Sequence, residues 1–329
     1  MKTFSNANPR DVQQAVKAAQ DAHKGGKTVS FSSGGSDLLA LVKERIVKPD
    51  VIVNLRGLSN ANQIAAAANG LTIGGEATLD EISRHAAIKQ QYAVLAEAAG
   101  SVATPQIRNV GTIAGNVAQR PWCWYFRNGF PCYKAGGNQC FSFAGENEFH
   151  AIFCGGPSYI VHPSDTAPAL MALGATFRVV GPGGERRIPA SEFFVLPRVN
   201  AQQENVLGNE DVIVSVQVPA LKAGTRSTYT KILDREAWTH AVVSAAVVLE
   251  MDQQVVRRAS VVLGGVAPIP WRLPEVEKML TGQRLTEELA AKAGEQAIAG
   301  ARALSKNAYK VPLTKNMVKR TLVELSTRA

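Results

Sequence analysis

The sequence predicts an α+β protein, with an α/β N-terminal region followed by a β-then-α C-terminal region. Three observations carry this reading. Strand, glycine-rich turn and helix patterns follow one another from residue 28 to a helix beginning at Leu79. Around residues 222–225 the texture changes to strand-like runs and then two amphipathic helices. At 329 residues, with 46% hydrophobic content and 28 glycines, the chain has material for two or three domains with cores of their own.

In order along the chain, Asn8-Pro9 followed by Val12, Ala15, Val16 and Ala19 reads as an N-capped amphipathic helix ending near Gly25-Gly26. Residues 28–31 form a strand, residues 32–37 a glycine-rich turn, and residues 38–43 a helix. Strands follow at 51–55 and 71–73, and Gly74-Gly75 turns into a helix from Leu79, so a small βα unit occurs twice. Residues 167–175 look helical, and 176–180 read as a strand entering a hairpin at residues 181–184. A domain boundary is expected near residue 223. Beyond it come strands at 241–249 and 259–263, then helices at 287–304 and 315–324.

No run approaches the ~20 apolar residues of a membrane span, and residues 1–9 hold no apolar stretch of signal-peptide length. The net charge of +9 is spread along the chain without dense Lys/Arg blocks interleaved with aromatics, which argues against nucleic acid as a partner.

All four cysteines, Cys123, Cys132, Cys140 and Cys154, fall in one 32-residue window. Thiolates gathered in one place suit zinc or an iron–sulfur cluster. Structural zinc usually draws on tight Cys-x₂₋₄-Cys knuckles, whereas 8, 7 and 13 residues separate these cysteines, a pattern that suits a loop wrapped around a larger object. Zinc, two disulfides and unligated thiols remain the alternatives. The turn Ser33-Gly34-Gly35-Ser36 before a helix could cradle an anion through backbone N–H groups, although such turns also occur as plain connections. Neither a G-x-G-x-x-G nor a Walker A pattern is present. The run 108–117 has small residues for close approach and Thr112 and Asn116 for hydrogen bonding, or is a strand-turn-strand corner. Ser164 or Asp165 ahead of a helix would serve as an N-cap.

Five motifs in order carry a resemblance. They are residues 33–39, residues 111–116, His162-Pro163-Ser164-Asp165, Lys231 with Arg235, and residues 264–268 with Pro270 and Arg272. Together they resemble the FAD-binding medium subunits of the xanthine dehydrogenase and aldehyde oxidoreductase family of molybdenum hydroxylases. The resemblance implies a two-subdomain α/β FAD-binding domain of the vanillyl-alcohol-oxidase (PCMH) type over residues 1–222 and a C-terminal α+β domain over 223–329. It also implies FAD contacts at Ser30, Phe31, Ser32, Ser33, Gly34, Gly35, Ser36, Asp37 and Leu38, at Thr112, Gly115 and Asn116, and at Asp165, Ile213 and Lys231. Ser33, Ser36 and Ala114 depart from the family's usual residues, small for small.

The cysteine window, about residues 117–160, stands where the commonest members have a shorter connection, and resembles the insertion of a subset that holds a [4Fe–4S] cluster on Cys123, Cys132, Cys140 and Cys154. The version in bacterial periplasmic-type aldehyde oxidoreductases is the most similar. The implied function is electron transfer by FAD and the cluster in a heterotrimer. A large subunit with the molybdenum cofactor would hydroxylate an aldehyde, a small subunit would carry two [2Fe–2S] clusters, and an external acceptor would take the electrons. Hydroxybenzoyl-CoA reductase-like and xanthine dehydrogenase-like subunits are the enzymatic alternatives, and a Cys₄ zinc interaction module the non-enzymatic one. With no signal of its own, the chain is expected in the cytoplasm or, by co-export with a partner, in the periplasm.

Overall fold

The computed structural model describes residues 2–235 and 240–327. Near the N-terminus, strands β1 (Ser5–Ala7), β2 (Val29–Ser32) and β3 (Val51–Asn54) form a parallel sheet in the order β1-β3-β2. The helix Val12–Lys24 covers it, packing Ala15 and Val16 on Val51, Val53 and Leu55. That helix is capped by Asp11, whose carboxylate accepts from the Gln14 N–H at 2.8 Å, and not by the expected Asn8. Asp11 stands directly before the first helical residue, where a side-chain oxygen reaches an orphan N–H.

A second sheet has five antiparallel strands, β4 (Ile64–Ala67), β5 (Gly70–Gly74), β6 (Thr176–Gly181), β7 (Gly184–Pro189) and β8 (Val212–Pro219), in the order β4-β5-β8-β6-β7. The two βα units of the sequence therefore do not repeat one architecture. The first lies in the parallel sheet, whereas β5 pairs antiparallel with β4 and β8, because its partners are set by tertiary packing. The helix Leu79–Arg84 after it opens with a capping box, Thr78 and Glu81 each accepting from the other's backbone N–H.

Residues 220–224 lead into a four-stranded antiparallel sheet of β9 (Thr225–Ile232), β10 (Val243–Asp252), β11 (Val255–Gly264) and β12 (Trp271–Arg272), ordered β12-β11-β10-β9. One face packs on the helices Glu287–Ala297 and Lys310–Thr327 through Leu249, Val261 and Leu322. The other meets the middle of the chain. Tyr229, Ala246, Val248 and Val262 share a core with Leu95 and Leu170, and Glu97 accepts from the Tyr229 N–H at 2.7 Å and the Thr228 hydroxyl at 2.8 Å.

The helix expected over 287–304 stops at Ala297, and the one expected over 315–324 begins at Lys310 and runs to Thr327. Pro312 obscures that start, yet a proline in the first turn removes no helical hydrogen bond. The intervening residues clamp the cysteine loop instead of extending a helix. The Arg302 N–H donates to Ile152 O at 2.7 Å, Asn307 Nδ2 to His150 O at 3.1 Å, and the buried Lys310 ammonium to Phe149 O at 2.9 Å and Gly265 O at 2.8 Å. Burial with carbonyls alone for partners pushes Lys310 down to about 7. Among the described residues no helix is long and apolar enough to cross a membrane.

Candidate FAD and cysteine-loop site

The end of β2 runs into the turn of residues 33–37, which is pressed against the segment 110–116. A methyl group at Gly34 would overlap the Val110 carbonyl, so only glycine permits this approach. Gly35 has φ +75°, the left-handed region that other residues enter at a cost of about 1–2 kcal/mol. Hydroxyls join the two segments. Ser33 donates to Glu76 at 2.8 Å, so in its 2.6 Å contact with Thr112 the threonine is the donor. Burial raises the Glu76 carboxyl above its ordinary value, and Ser33 opposes the shift. Thr112 also accepts from the Gly115 N–H and caps the helix Ile113–Ala118, so the run is a helix start and not a strand corner.

The third segment is fastened in turn by that helix. Asn116 Oδ1 accepts from the Ser164 and Thr166 hydroxyls, both at 2.6 Å. Ser164 caps the helix Thr166–Ala172 by accepting from Ala167 N–H at 3.0 Å, and Asp165 makes no cap bond. Its carboxylate accepts from the Tyr229 hydroxyl and the Lys231 ammonium, each at 2.7 Å. Lys231 and Asp165 are both 4% exposed, and burial beside Asp165 drives the Tyr229 hydroxyl well above its ordinary value.

These segments enclose a cavity of about 1350 Å³. It exceeds the roughly 300–1,000 Å³ of an ordinary small-ligand pocket and suits an extended dinucleotide. Of the residues singled out from the sequence, Ser30, Phe31, Ser33, Gly34, Gly35, Ser36, Asp37, Leu38, Thr112, Gly115, Asn116, Asp165 and Ile213 line it. Ser32 and Lys231 stand outside the lining, Lys231 behind Asp165.

The cysteine loop forms another wall of the same cavity, through Trp122, Cys123, Trp124 and His150. It is anchored on the glycine turn. Asp37 accepts from the Arg120 N–H at 2.9 Å and from Arg127 Nη2 at 2.6 Å, and Arg127 also donates to Pro121 O and Arg120 O. A second buried cluster pairs Glu204 with Lys134 at 2.5 Å and with Arg120 at 3.0 Å. Burial lowers the Lys134 ammonium, and Glu204 opposes it.

Cys132 packs against Leu41 and Phe126, with Cys123 beside them. Burial pushes the Cys123 thiol up to about 11, and thiols 132 and 140 add to the shift. Cys123 Sγ lies 3.4 Å from His150 Nε2, Cys140 Sγ lies 3.1 Å from Ser142 Oγ, and Cys154 is exposed at φ +44°. All four thiols are unbridged, and among the described residues no three His, Cys, Asp or Glu side chains converge in metal-binding geometry.

Residues 2–221 match the family described as FAD binding domain in molybdopterin dehydrogenase, and residues 228–325 the CO dehydrogenase flavoprotein C-terminal domain. The chain belongs to the FAD-binding medium subunits of the molybdenum hydroxylases. Among these subunits it is 31% identical to the aldehyde oxidoreductase FAD-binding subunit PaoB of Escherichia coli, over 100% of both chains. It is 27% identical to the carbon monoxide dehydrogenase medium chain of Hydrogenophaga pseudoflava, over 97% of this chain and 96% of that one. A solved carbon monoxide dehydrogenase structure from H. pseudoflava superposes with a TM-score of 0.77 over 98% of this chain and 96% of that chain, at 25% identity. The cavity and its glycine-lined approach fit the FAD that defines the family's N-terminal domain.

Sequence reasoning missed Glu76, Arg127, Glu204, Tyr229 and Lys310. Each meets its partner across a long sequence separation, as Arg127 meets Asp37 90 residues away, and no short motif signals that.

Proposed function

We propose that this chain is the electron-transfer flavoprotein subunit of a heterotrimeric molybdenum aldehyde oxidoreductase. The observation that carries the reading is full-length similarity to the FAD-binding subunit of an aldehyde oxidoreductase, together with a cavity walled on one side by the glycine turn and on another by the cysteine loop. A large subunit with the molybdenum cofactor oxidises the aldehyde, and a small subunit with two [2Fe–2S] clusters connects it to this chain. Bound FAD supplies conversion between one- and two-electron transfer.

The chain's own residues hold that group. The backbone of Gly34 and Gly35 meets the diphosphate, and Ser33 and Thr112 fix the spacing of the two segments. Asp165 presents a carboxylate whose charge is matched by Lys231 and whose second oxygen is satisfied by Tyr229. Arg127 neutralises Asp37, which would otherwise repel the diphosphate. In the same reading Cys123, Cys132, Cys140 and Cys154 hold a [4Fe–4S] cluster. The support is a donor set of four thiols in one loop, with Cys132 and Cys140 near enough to Cys123 to add to the rise of its thiol.

The test is purification of the complex followed by assay of flavin and iron. One FAD per chain, and about four iron atoms beyond the small subunit's content that are lost in Cys132→Ser or Cys140→Ser, support the reading. Stoichiometric zinc without flavin, or aldehyde turnover by this chain alone, overturns it.

A further inference from the structure

Trp122 is a large aromatic residue left 41% exposed on the cavity wall, immediately before Cys123. It is nevertheless held. The Arg127 guanidinium lies over one face of the indole, 4.2 Å from the ring centroid, and the His240 ring packs against it at 5.6 Å between centroids. Arg127 is itself immobilised by its bonds to Asp37, Pro121 O and Arg120 O. An indole that merely covered apolar surface would not need a guanidinium tethered at several points behind it. Between the Arg127 guanidinium and the His240 ring, tilted by 36°, the indole keeps exposed surface where it lines the cavity, and that surface can meet a planar partner. An electron-rich indole backed by a cation suits stacking on a flat heterocycle.

The position selects which heterocycle. With the diphosphate at the glycine turn, one ring system of the dinucleotide lies to either side. Val29, Leu55 and Val212 in the lining belong to the aliphatic core around the parallel sheet, whereas Trp122 and Cys123 belong to the cysteine loop. On the proposed reading, in which the thiols hold a cluster, the ring that exchanges electrons lies on the side of the cysteine loop.

We infer that Trp122 packs its exposed surface on the isoalloxazine of bound FAD and screens the flavin there from dioxygen, with Arg127 as its positioning residue. The inference rests on the reading of the cavity as the FAD site. Removal of the screen favours a defined side reaction. Two electrons and two protons leave the reduced flavin for dioxygen, which becomes hydrogen peroxide while FAD is regenerated.

The experiment uses the assembled holoenzyme carrying Trp122→Ala or Trp122→Phe, with FAD quantified after acid release. Indole stacking quenches flavin emission, so Trp122→Ala is expected to raise bound-flavin fluorescence severalfold and to speed reoxidation by dioxygen on the order of tenfold, a change of about 1.4 kcal/mol in barrier. Trp122→Phe should fall between the two. Should Trp122→Ala lose its FAD, the contact is supported and Trp122→Phe carries the fluorescence measurement. Retained FAD with unchanged fluorescence and unchanged reoxidation in both variants overturns the inference. Wild-type holoenzyme without FAD overturns instead the reading of the cavity.

Discussion

Asp37 and Arg127 form an ion pair of 2.6 Å, with side chains 19% and 6% exposed, that ties the glycine turn to the cysteine loop. The pair lets an acidic residue sit beside an anion cradle, because the guanidinium cancels its charge at the point of closest approach. Removing one partner leaves the other charged and short of bonds, at a cost on the order of 1–3 kcal/mol. Asp37→Asn should therefore loosen residues 120–127 and accelerate proteolytic cleavage in the loop, read by limited proteolysis with mass mapping. Cleavage at the wild-type rate would remove the coupling role.

Gly34 is the tighter of the two turn glycines. A side chain there displaces the Val110 carbonyl and separates the segments that Ser33 and Thr112 join. Gly34→Ala should strip most of the FAD, and Gly35→Ala, strained by about 1–2 kcal/mol in the left-handed region, should weaken FAD affinity roughly tenfold. Titration of apoprotein with FAD by fluorescence ranks them, and equal affinity in both variants contradicts the packing argument.

Lys231 does not line the cavity, so its removal acts through Asp165. Breaking a buried pair by deleting one charge costs about 3–5 kcal/mol. Lys231→Ala should lower the unfolding midpoint and FAD occupancy together, and the double variant Lys231→Met with Asp165→Asn should recover much of the loss. Chemical denaturation measures the midpoint, and flavin released by acid from the native protein measures the occupancy. A Lys231→Ala protein as stable as wild type sinks the idea.

Burial holds the His162 imidazole down at about 3, its Nδ1 accepting from Ser164 N–H and its ring edge-on to Phe194 at 4.8 Å. The unfolded chain takes up a proton near its ordinary value of 6.5 and the folded chain does not, so stability falls as pH drops from 6.5 towards 3. The slope from this group is up to about 1.4 kcal/mol per pH unit. His162→Phe should flatten the profile in that window, measured as unfolding free energy at pH 4.5, 5.5 and 7.0 (about one to two units apart). Parallel profiles for the two proteins would show that another group carries the acid sensitivity.

Local chemistry was legible in the sequence wherever a side chain acts on its own neighbours. The glycine turn, the helix starting at Leu79 and the hairpin at residues 181–184 follow from residue type and spacing, because conformational freedom at glycine and capping are satisfied within a few positions. The order of five motifs was enough to indicate the family. Tertiary structure alone decided the rest. It paired β5 with β8 and not with the parallel sheet, ended the helix expected over 287–304 at Ala297 so that Arg302 and Asn307 clamp the cysteine loop, and moved Lys231 behind Asp165. Those outcomes depend on desolvated charges and on carbonyls that must find donors across many tens of residues, and no local pattern encodes which distant group answers.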